Sequence, residues 1–173
     1  MGYFYHSNVT WRIEPQFLPN TQLDFAVHAT TLAHFGLNLP ITVSSASLHS
    51  PMDGKERNAH AIGVMAHLDT GASVTVISAD LAKYLNLNPT GAAPIVTAGG
   101  IHKMATFAVD LHFPSCNLSS IINLPVSSCH LDYDVSDPSL NERGKFAVLI
   151  GRDVMSRWNI VWNGPTSTVI IND

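Results

Sequence analysis

The stretch Leu68-Asp69-Thr70-Gly71-Ala72-Ser73 is the most informative part of this chain. It places one carboxylate between the apolar run 61–66 and a glycine that can form a turn. A carboxylate at the end of a buried strand costs free energy through desolvation, so such a residue often serves a chemical purpose. Asp-Thr-Gly alone also fits an aspartate that binds the local backbone after a strand. Its meaning therefore depends on what else the chain contains.

Two further segments complete a pattern. Ala98-Gly99-Gly100-Ile101 lies between two apolar arms, and paired glycines supply the positive φ that tight hairpins need. Ile150-Gly151-Arg152-Asp153 follows a short apolar run near the C-terminus. Together with Asp69-Thr70-Gly71, these segments resemble the retropepsin-like aspartic proteases, the single-domain relatives of the retroviral enzymes. The resemblance covers residues 40–173, and the tail 158–165 looks most like the small stand-alone bacterial members.

The resemblance implies an all-β fold: a closed retropepsin-like (acid protease) barrel with one short C-terminal helix, forming half of a two-fold dimeric aspartic protease. The many short apolar runs with turn residues between them also predict a barrel-like β fold. We expect an N-terminal arm over 1–38 and a protease domain over 39–173, with surface loops at 86–94 and 127–145. Predicted strands cover 39–48, 59–68, 74–77, 95–97, 101–113, 120–126, 146–150 and 168–171, and predicted short helices cover 79–85 and 154–158.

One Asp-Thr-Gly cannot complete the site of an aspartic protease. The reaction needs two carboxylates that share a proton, one ionised to accept a proton from water and one protonated to donate toward the amide carbonyl. Because the chain has no second such triplet, the resemblance implies that Asp69 of another copy supplies the second carboxylate through a two-fold axis. We therefore predict a homodimeric endopeptidase that binds a peptide or protein substrate in extended form and uses no metal or cofactor.

The resemblance assigns supporting roles around Asp69. Thr70, Gly71, Ala72 and Ser73 would form the active-site loop, with Gly71 letting the substrate backbone approach closely. The segment 98–101 matches the flap that closes over the substrate and excludes water.

The segment 150–153 matches the structural motif under the active site. The roles implied for Arg152 and Asp153 are scaffolding roles. Many retroviral members carry an acid where this chain has Ser73, and that acid pairs with the arginine of the later motif. Since Ser73 cannot form this ion pair, the sequence leaves the partner of Arg152 open.

His67 departs from the family, which usually has an apolar residue there. Alternate residues of a strand share a face, so His67 faces the same side as Asp69. We hypothesise that His67 lines a substrate pocket, where it favours a polar or acidic residue near the scissile bond or adds a pH dependence at about pH 6 to 7. The alternative is a histidine that is hydrogen-bonded locally and has no effect on specificity.

The composition of the chain argues against several other classes of protein. With 46% hydrophobic and 13% charged residues, the chain is expected to be globular, and its formal charge of −4 gives no reason to expect a nucleic-acid partner. No apolar stretch reaches the length of a membrane helix, and the N-terminus has no signal-peptide pattern, so we expect a cytoplasmic protein without membrane contact. The two cysteines predict free thiols or at most one disulfide.

Three alternatives remain open at this stage. Some retropepsin-like domains serve as dimerisation or protein-binding modules with little proteolysis, and this is the leading rival. A self-processing precursor that removes its own arm is weaker. A metal site is not favoured, because the spacing of its candidate ligands matches no zinc pattern; these candidates are His112, Cys116, Cys129 and His130.

Overall fold

The structure is a computed structural model that describes residues 3–5, 8–12, 36–46, 61–97, 99–114, 118–131, 133, 145–163 and 168–173. For residues 3–5, 8–12, 97 and 168 the structure describes the backbone alone. Within these ranges the strands are β1 (Tyr3–Tyr5), β2 (Asn8–Arg12), β3 (Asn38–Ser45), β4 (Ala61–Leu68), β5 (Val76–Ser78), β6 (Gly91–Thr97), β7 (Gly100–His112), β8 (Ile121–Cys129), β9 (Val148–Ile150), β10 (Asn159–Asn163) and β11 (Thr168–Asn172), and the helices are α1 (Ala79–Tyr84) and α2 (Arg152–Met155).

Six strands close into a barrel. Their order around the ring is β3-β4-β9-β5-β8-β7, and β7 pairs again with β3. The pairs β4–β9 and β5–β8 are parallel, and the others are antiparallel. The expected all-β, retropepsin-like barrel is thereby confirmed. A short helix lies near the C-terminus as expected, and α1 follows β5, where Ser78 caps it by accepting a hydrogen bond from the Leu81 N–H at 3.0 Å.

Alternation along the strands explains which side chains fill the barrel. In β3, Leu39, Ile41 and Val43 are buried, and in β4 Val64 and Ala66 are buried. Because successive side chains of a strand point to opposite faces, the residues that share parity with Val64 enter the core. His67 and Asp69 have the other parity, so the barrel wall presents them away from the core.

A second sheet joins the two ends of the chain. Its order is β1-β2-β11-β10, with Asn8 opposite Asn172 and Arg12 opposite Thr168. Of the two strands in the predicted N-terminal arm, β2 therefore pairs with the C-terminal strand β11, and β1 pairs with β2. The sequence did not predict β10, whose Val161 and Trp162 side chains are about half exposed.

Two predicted loop boundaries were wrong. Strand β6 begins at Gly91, inside the predicted loop 86–94, and β8 continues to Cys129, into the predicted loop 127–145. Pro94 has no N–H to donate, but among the described strands β6 is hydrogen-bonded to β7 alone, and an edge strand tolerates such a residue. Residues 21–35, where the sequence pattern fits either a strand or a short helix, and residues 50–55, whose composition predicts a turn, lie outside the described residues. In the described ranges, neither helix has the length and apolar character to cross a membrane.

Candidate active site

Asp69 lies where β4 leaves the barrel. The Leu68 N–H donates to the Leu37 carbonyl at 2.9 Å, and the Asp69 N–H donates to the Ile150 carbonyl at 3.0 Å. The backbone at Asp69 is thus held by Leu37, just before β3, and by Ile150, the last residue of β9. The Asp69 side chain is half-buried.

A tight turn holds one oxygen of the Asp69 carboxylate. The Gly71 N–H donates to Asp69 Oδ1 at 2.8 Å, and the Ala72 N–H donates to the Asp69 carbonyl at 3.2 Å. This is the local side-chain-to-backbone pattern that aspartate favours in turns. Gly71 packs closely against the carboxylate, because a Cβ at this position would lie 3.0 Å from Asp69 Oδ1. Among the described residues no hydrogen-bond donor contacts Oδ2.

Arg152 holds the loop through backbone carbonyls. Its Nη1 donates to the Thr70 carbonyl at 2.7 Å and to the Gly71 carbonyl at 3.2 Å. Its backbone N–H donates to the Ala72 carbonyl at 2.9 Å. No carboxylate contacts Arg152 in the described part of the chain, and Ser73 is exposed. The partner that the sequence left open is therefore the main chain that follows Asp69.

Thr75 and Asp153 join the two motifs below this loop. Thr75 is fully buried; its hydroxyl donates to Asp153 Oδ1 at 2.8 Å and accepts from the Gly151 N–H at 3.1 Å. The Thr75 N–H donates to Asp153 Oδ2 at 3.0 Å, and Oδ1 also accepts from the Val154 N–H at 3.0 Å. Gly151 leaves no room for a side chain, since a Cβ there would lie 2.5 Å from the Val74 carbonyl carbon.

The predicted flap is the hairpin of β6 and β7. Thr97 pairs with Gly100, and Gly100 has a φ of +114°, which a residue with a side chain rarely adopts. Val96 and Ile101 oppose each other near the tip and are 77% and 74% exposed. Ala98 lies outside the described residues. Within the described ranges β6 pairs with β7 and with no barrel strand, so the hairpin extends from the barrel.

His67 is held on three sides. Its Nδ1 lies 2.8 Å from Asn38 Oδ1, and its ring stacks on Phe146 with the centroids 5.0 Å apart. Gly36 covers the Cε1 edge, since a Cβ there would lie 2.6 Å from that atom. Burial lowers the pKa of His67 below its ordinary value of 6.5, while the nearby charge of Asp69 raises it. Its role toward a substrate stays a prediction.

The structure does not bring the other singled-out residues to the site. His112 contacts Ser120 Oγ through Nδ1 at 2.9 Å and Ser44 Oγ through Nε2 at 3.5 Å. Cys129 is half-buried, and burial raises the pKa of its thiol, which makes it less nucleophilic. Cys116 lies outside the described residues. Within the described ranges, no three His, Cys, Asp or Glu side chains lie close enough together to hold a metal.

Sequence reasoning missed four residues around Asp69. These residues are Gly36, Asn38, Thr75 and Phe146. Thr75 gave a faint signal, because a buried threonine after the motif needs a hydrogen-bond partner. The other three come from segments that only the barrel pairing brings to His67, so no local pattern could mark them.

Comparison with known proteins also relates the chain to the aspartic proteases. A family model described as "Aspartyl protease" matches residues 59–154, more than half of the chain. The chain belongs to the aspartyl protease family. The match contains Asp69, the β6–β7 hairpin and the Gly151-Arg152-Asp153 motif, so it spans all three segments of the sequence pattern.

One solved structure that resembles this family member is a crystal structure of a retropepsin-like aspartic protease from Rickettsia conorii. It is 16% identical, the alignment covers 79% of this chain and 92% of that chain, and the TM-score is 0.44. No curated protein matches the sequence significantly.

Proposed function

We propose that this protein is an aspartic endopeptidase in which Asp69 residues of two copies activate a water for attack on a peptide bond. One carboxylate would accept a proton from the water, and the other would donate a proton toward the carbonyl oxygen of the substrate. The reaction needs no metal and forms no covalent bond between enzyme and substrate.

The presentation of the Asp69 carboxylate is the observation that carries the proposal. The Gly71 N–H fixes Oδ1, the backbone around Asp69 is bonded to Ile150, and no described donor contacts Oδ2. A side chain with a fixed orientation and one open oxygen suits a group that exchanges protons with a water. A merely structural aspartate gains most when donors contact both of its oxygens, as they do for Asp153.

A second copy is part of the proposal because the sequence contains a single Asp-Thr-Gly. Two like charges close together cannot both ionise easily, so a symmetric pair shares one proton, which is the state the reaction requires. A two-fold axis brings identical residues together without a second motif in the sequence.

The β6–β7 hairpin supports binding of an extended peptide. Val96 and Ile101 expose apolar surface next to the backbone of β6, whose one partner among the described strands is β7. An extended substrate can hydrogen-bond to such backbone and cover these side chains. We infer that the hairpin closes over the peptide and that apolar residues are favoured near the cut.

The test compares the wild type with Asp69→Asn on a diverse peptide library between about pH 3 and about pH 8, with cleavage read by mass spectrometry. Asp69→Asn removes the charge while keeping the size of the side chain. The matched control is Asp80→Asn on the surface of α1, which loses only an exposed pair with Lys83 at 3.0 Å.

We expect the wild type and Asp80→Asn to cut the same peptides and Asp69→Asn to cut none. Equal cleavage by Asp69→Asn would rule the proposal out. If the folded, dimeric wild type cuts nothing and does not bind pepstatin, an inhibitor that needs a formed carboxylate pair, a dimerisation or protein-binding module becomes the better description.

A further inference from the structure

The β6–β7 hairpin has two faces of different character. Successive side chains of a strand point to opposite faces, and directly opposed residues of two antiparallel strands share a face. One face of the hairpin is therefore formed by three cross-strand pairs, which are Val96 with Ile101, Pro94 with Lys103 and Ala92 with Ala105. Among these six residues, Lys103 is the one that carries a charge.

The face that contains Lys103 continues the inner surface of the barrel. Along β7, the side chains of Phe107 and Val109 are buried in the core, and Ala105 packs against it. The register shift of β7 lies beyond Val109, so the alternation between Ile101 and Val109 is unbroken. Ile101 and Lys103 therefore extend, outside the barrel, the row of side chains that fills its interior.

The same face is open to a ligand. Val96 and Ile101 are 77% and 74% exposed, more than the other exposed large hydrophobic side chains in the described part of the chain. On the opposite face of the hairpin, Ile95 and Met104 are half-buried. Apolar side chains left uncovered on one face alone favour a binding role for that face.

Lys103 adds a positive charge to this apolar face. Its side chain is exposed, and among the described residues no carboxylate pairs with it, whereas Lys83 pairs with Asp80. A lysine ammonium on its flexible stem binds a carboxylate as a point charge, and the attraction strengthens where a closing hairpin excludes water. His102 is the neighbouring residue, but it opposes Ile95 and lies on the other face.

We propose that Lys103 is a specificity-determining residue whose ammonium binds an aspartate or glutamate of the substrate within about four residues of the cut. This role rests on the proposed endopeptidase function and defines the class of peptide that it favours. Lys103 lies about 10 Å along the strand from Gly100 near the tip, which is the length of about three residues of an extended peptide. In a symmetric dimer, one Lys103 serves each side of the cut, so acidic residues are favoured on both sides.

The first test measures how well the wild type distinguishes a charged from a neutral side chain. A peptide that the library shows to be cleaved is synthesised with Glu or with Gln at successive positions on either side of the cut, because Gln matches Glu in size but has no charge. We expect kcat/KM to favour Glu by about two- to five-fold at one position on each side, as for an exposed ion pair. About 1 M NaCl should remove most of this preference, because it screens charges beyond about 3 Å.

Variants of Lys103 then assign the preference to this side chain. Lys103→Gln should abolish the preference for Glu, and Lys103→Glu should favour a peptide with Lys at that position over the Gln peptide. The matched control is His102→Glu, which adds a negative charge to the opposite face of the same strand and should still favour the Glu peptide. Both positions are exposed, so the fold should tolerate these changes. A preference that survives in Lys103→Gln, or that His102→Glu reverses as well, would overturn the inference.

A binding measurement separates this inference from the proposed function. The probes are two fluorescein-labelled apolar peptides, one with Glu on both sides of its centre and one with Gln at the same positions. Their Kd values are measured by fluorescence anisotropy on Asp69→Asn, with and without Lys103→Gln, so that cleavage does not interfere. If the wild type cleaves nothing, the proposed endopeptidase fails, but a lower Kd for the Glu peptide that depends on Lys103 still supports the inference. Equal Kd values for the two peptides, or no binding of either, would overturn it.

Discussion

At the scale of single residues, the close approach of Gly36 to His67 makes a direct prediction. Gly36→Ala places a Cβ 2.6 Å from His67 Cε1 at a φ of +62°. The overlap and the backbone strain together should destabilise the fold by about 1 to 3 kcal/mol. Urea unfolding of both single variants and of the double variant with His67→Ala provides the measurement.

In the double variant the overlap is gone and only the strain of the left-handed backbone remains. The cost of Gly36→Ala should therefore be smaller in the His67→Ala background than in the wild type. Additive effects of the two substitutions would mean that Gly36 and His67 are not in contact.

The pKa of His67 predicts a pH dependence of stability. Burial lowers this pKa below 6.5 in the folded chain, so the unfolded chain takes up the proton first as the pH falls. The stabilisation that this residue gives is complete above pH 6.5 and is lost as the pH falls through the folded pKa. Between about pH 7 and about pH 5, the Tm of His67→Asn should therefore decline less steeply than that of the wild type. His130→Asn measured alongside should follow the wild type if His67 is responsible.

Single residues also show how far sequence reasoning reaches. The sequence marked Asp69 because Asp-Thr-Gly after an apolar run is a local pattern with a chemical explanation. It could not give the partner of Arg152, because the acceptors are the Thr70 and Gly71 carbonyls and every residue has a carbonyl. It placed His67 on the face of Asp69, yet Asn38 and Phe146 reach the ring only through the pairing of β4 with β3 and β9.

At the scale of elements, the contact between Thr75 and Asp153 connects the loop after β4 to the start of α2. Thr75→Val keeps the shape of the side chain but leaves the Gly151 N–H and Asp153 Oδ1 without this partner. Loss of buried hydrogen bonds of this kind should cost about 1 to 3 kcal/mol of unfolding free energy. Thr75→Ser keeps the hydroxyl and should cost less, which denaturant titration of the two variants can measure. If both variants lose the same unfolding free energy, the effect comes from packing and not from the hydrogen bonds of the hydroxyl.

For the β6–β7 hairpin we predict an effect on substrate binding and not on stability. Val96 and Ile101 are largely exposed, so replacing both by serine removes little packing and should leave the Tm nearly unchanged. If the hairpin covers the substrate, the same variant should raise KM several-fold. Ile122→Ser on β8, where the side chain is 55% exposed, serves as the matched control. A KM that rises equally in the control would remove the argument for a flap.

Strand boundaries were predictable where apolar and polar residues alternate, as in β4, and less so elsewhere. Pro94 and the small residues of β6 gave no strand signal, because β6 is stabilised by pairing with β7 along its whole length. Strand β10 was missed for a similar reason, since its exposed side chains lack a buried face and its order comes from β11.

At the scale of the whole molecule, a site built from two copies predicts how mixtures behave. When wild type and Asp69→Asn are mixed in equal amounts and allowed to exchange, about a quarter of the dimers contain two aspartates. The activity per total protein should fall to that fraction of the wild-type value. As a control, a chain that carries both Asp69→Asn and Asp80→Asn is mixed with the wild type in the same way. Its mixture should show the same activity as the mixture with Asp69→Asn, because the surface substitution has no effect of its own. About half of the activity would remain if each chain carried a complete site.

The sheet that joins β2 to β11 has a consequence for the folding of the chain during its synthesis on the ribosome. Asn8 lies opposite Asn172, so this sheet pairs residues from the two ends of the sequence. The ribosome releases residues 8–12 early, and they can then pair with β1, but their other partner, residues 168–172, is made only after the barrel strands. The barrel strands, which are complete by residue 150, can close first. The pairing of β2 with β11 is therefore a late step, and the edge of β2 that faces β11 stays without this partner while the strands between them are made.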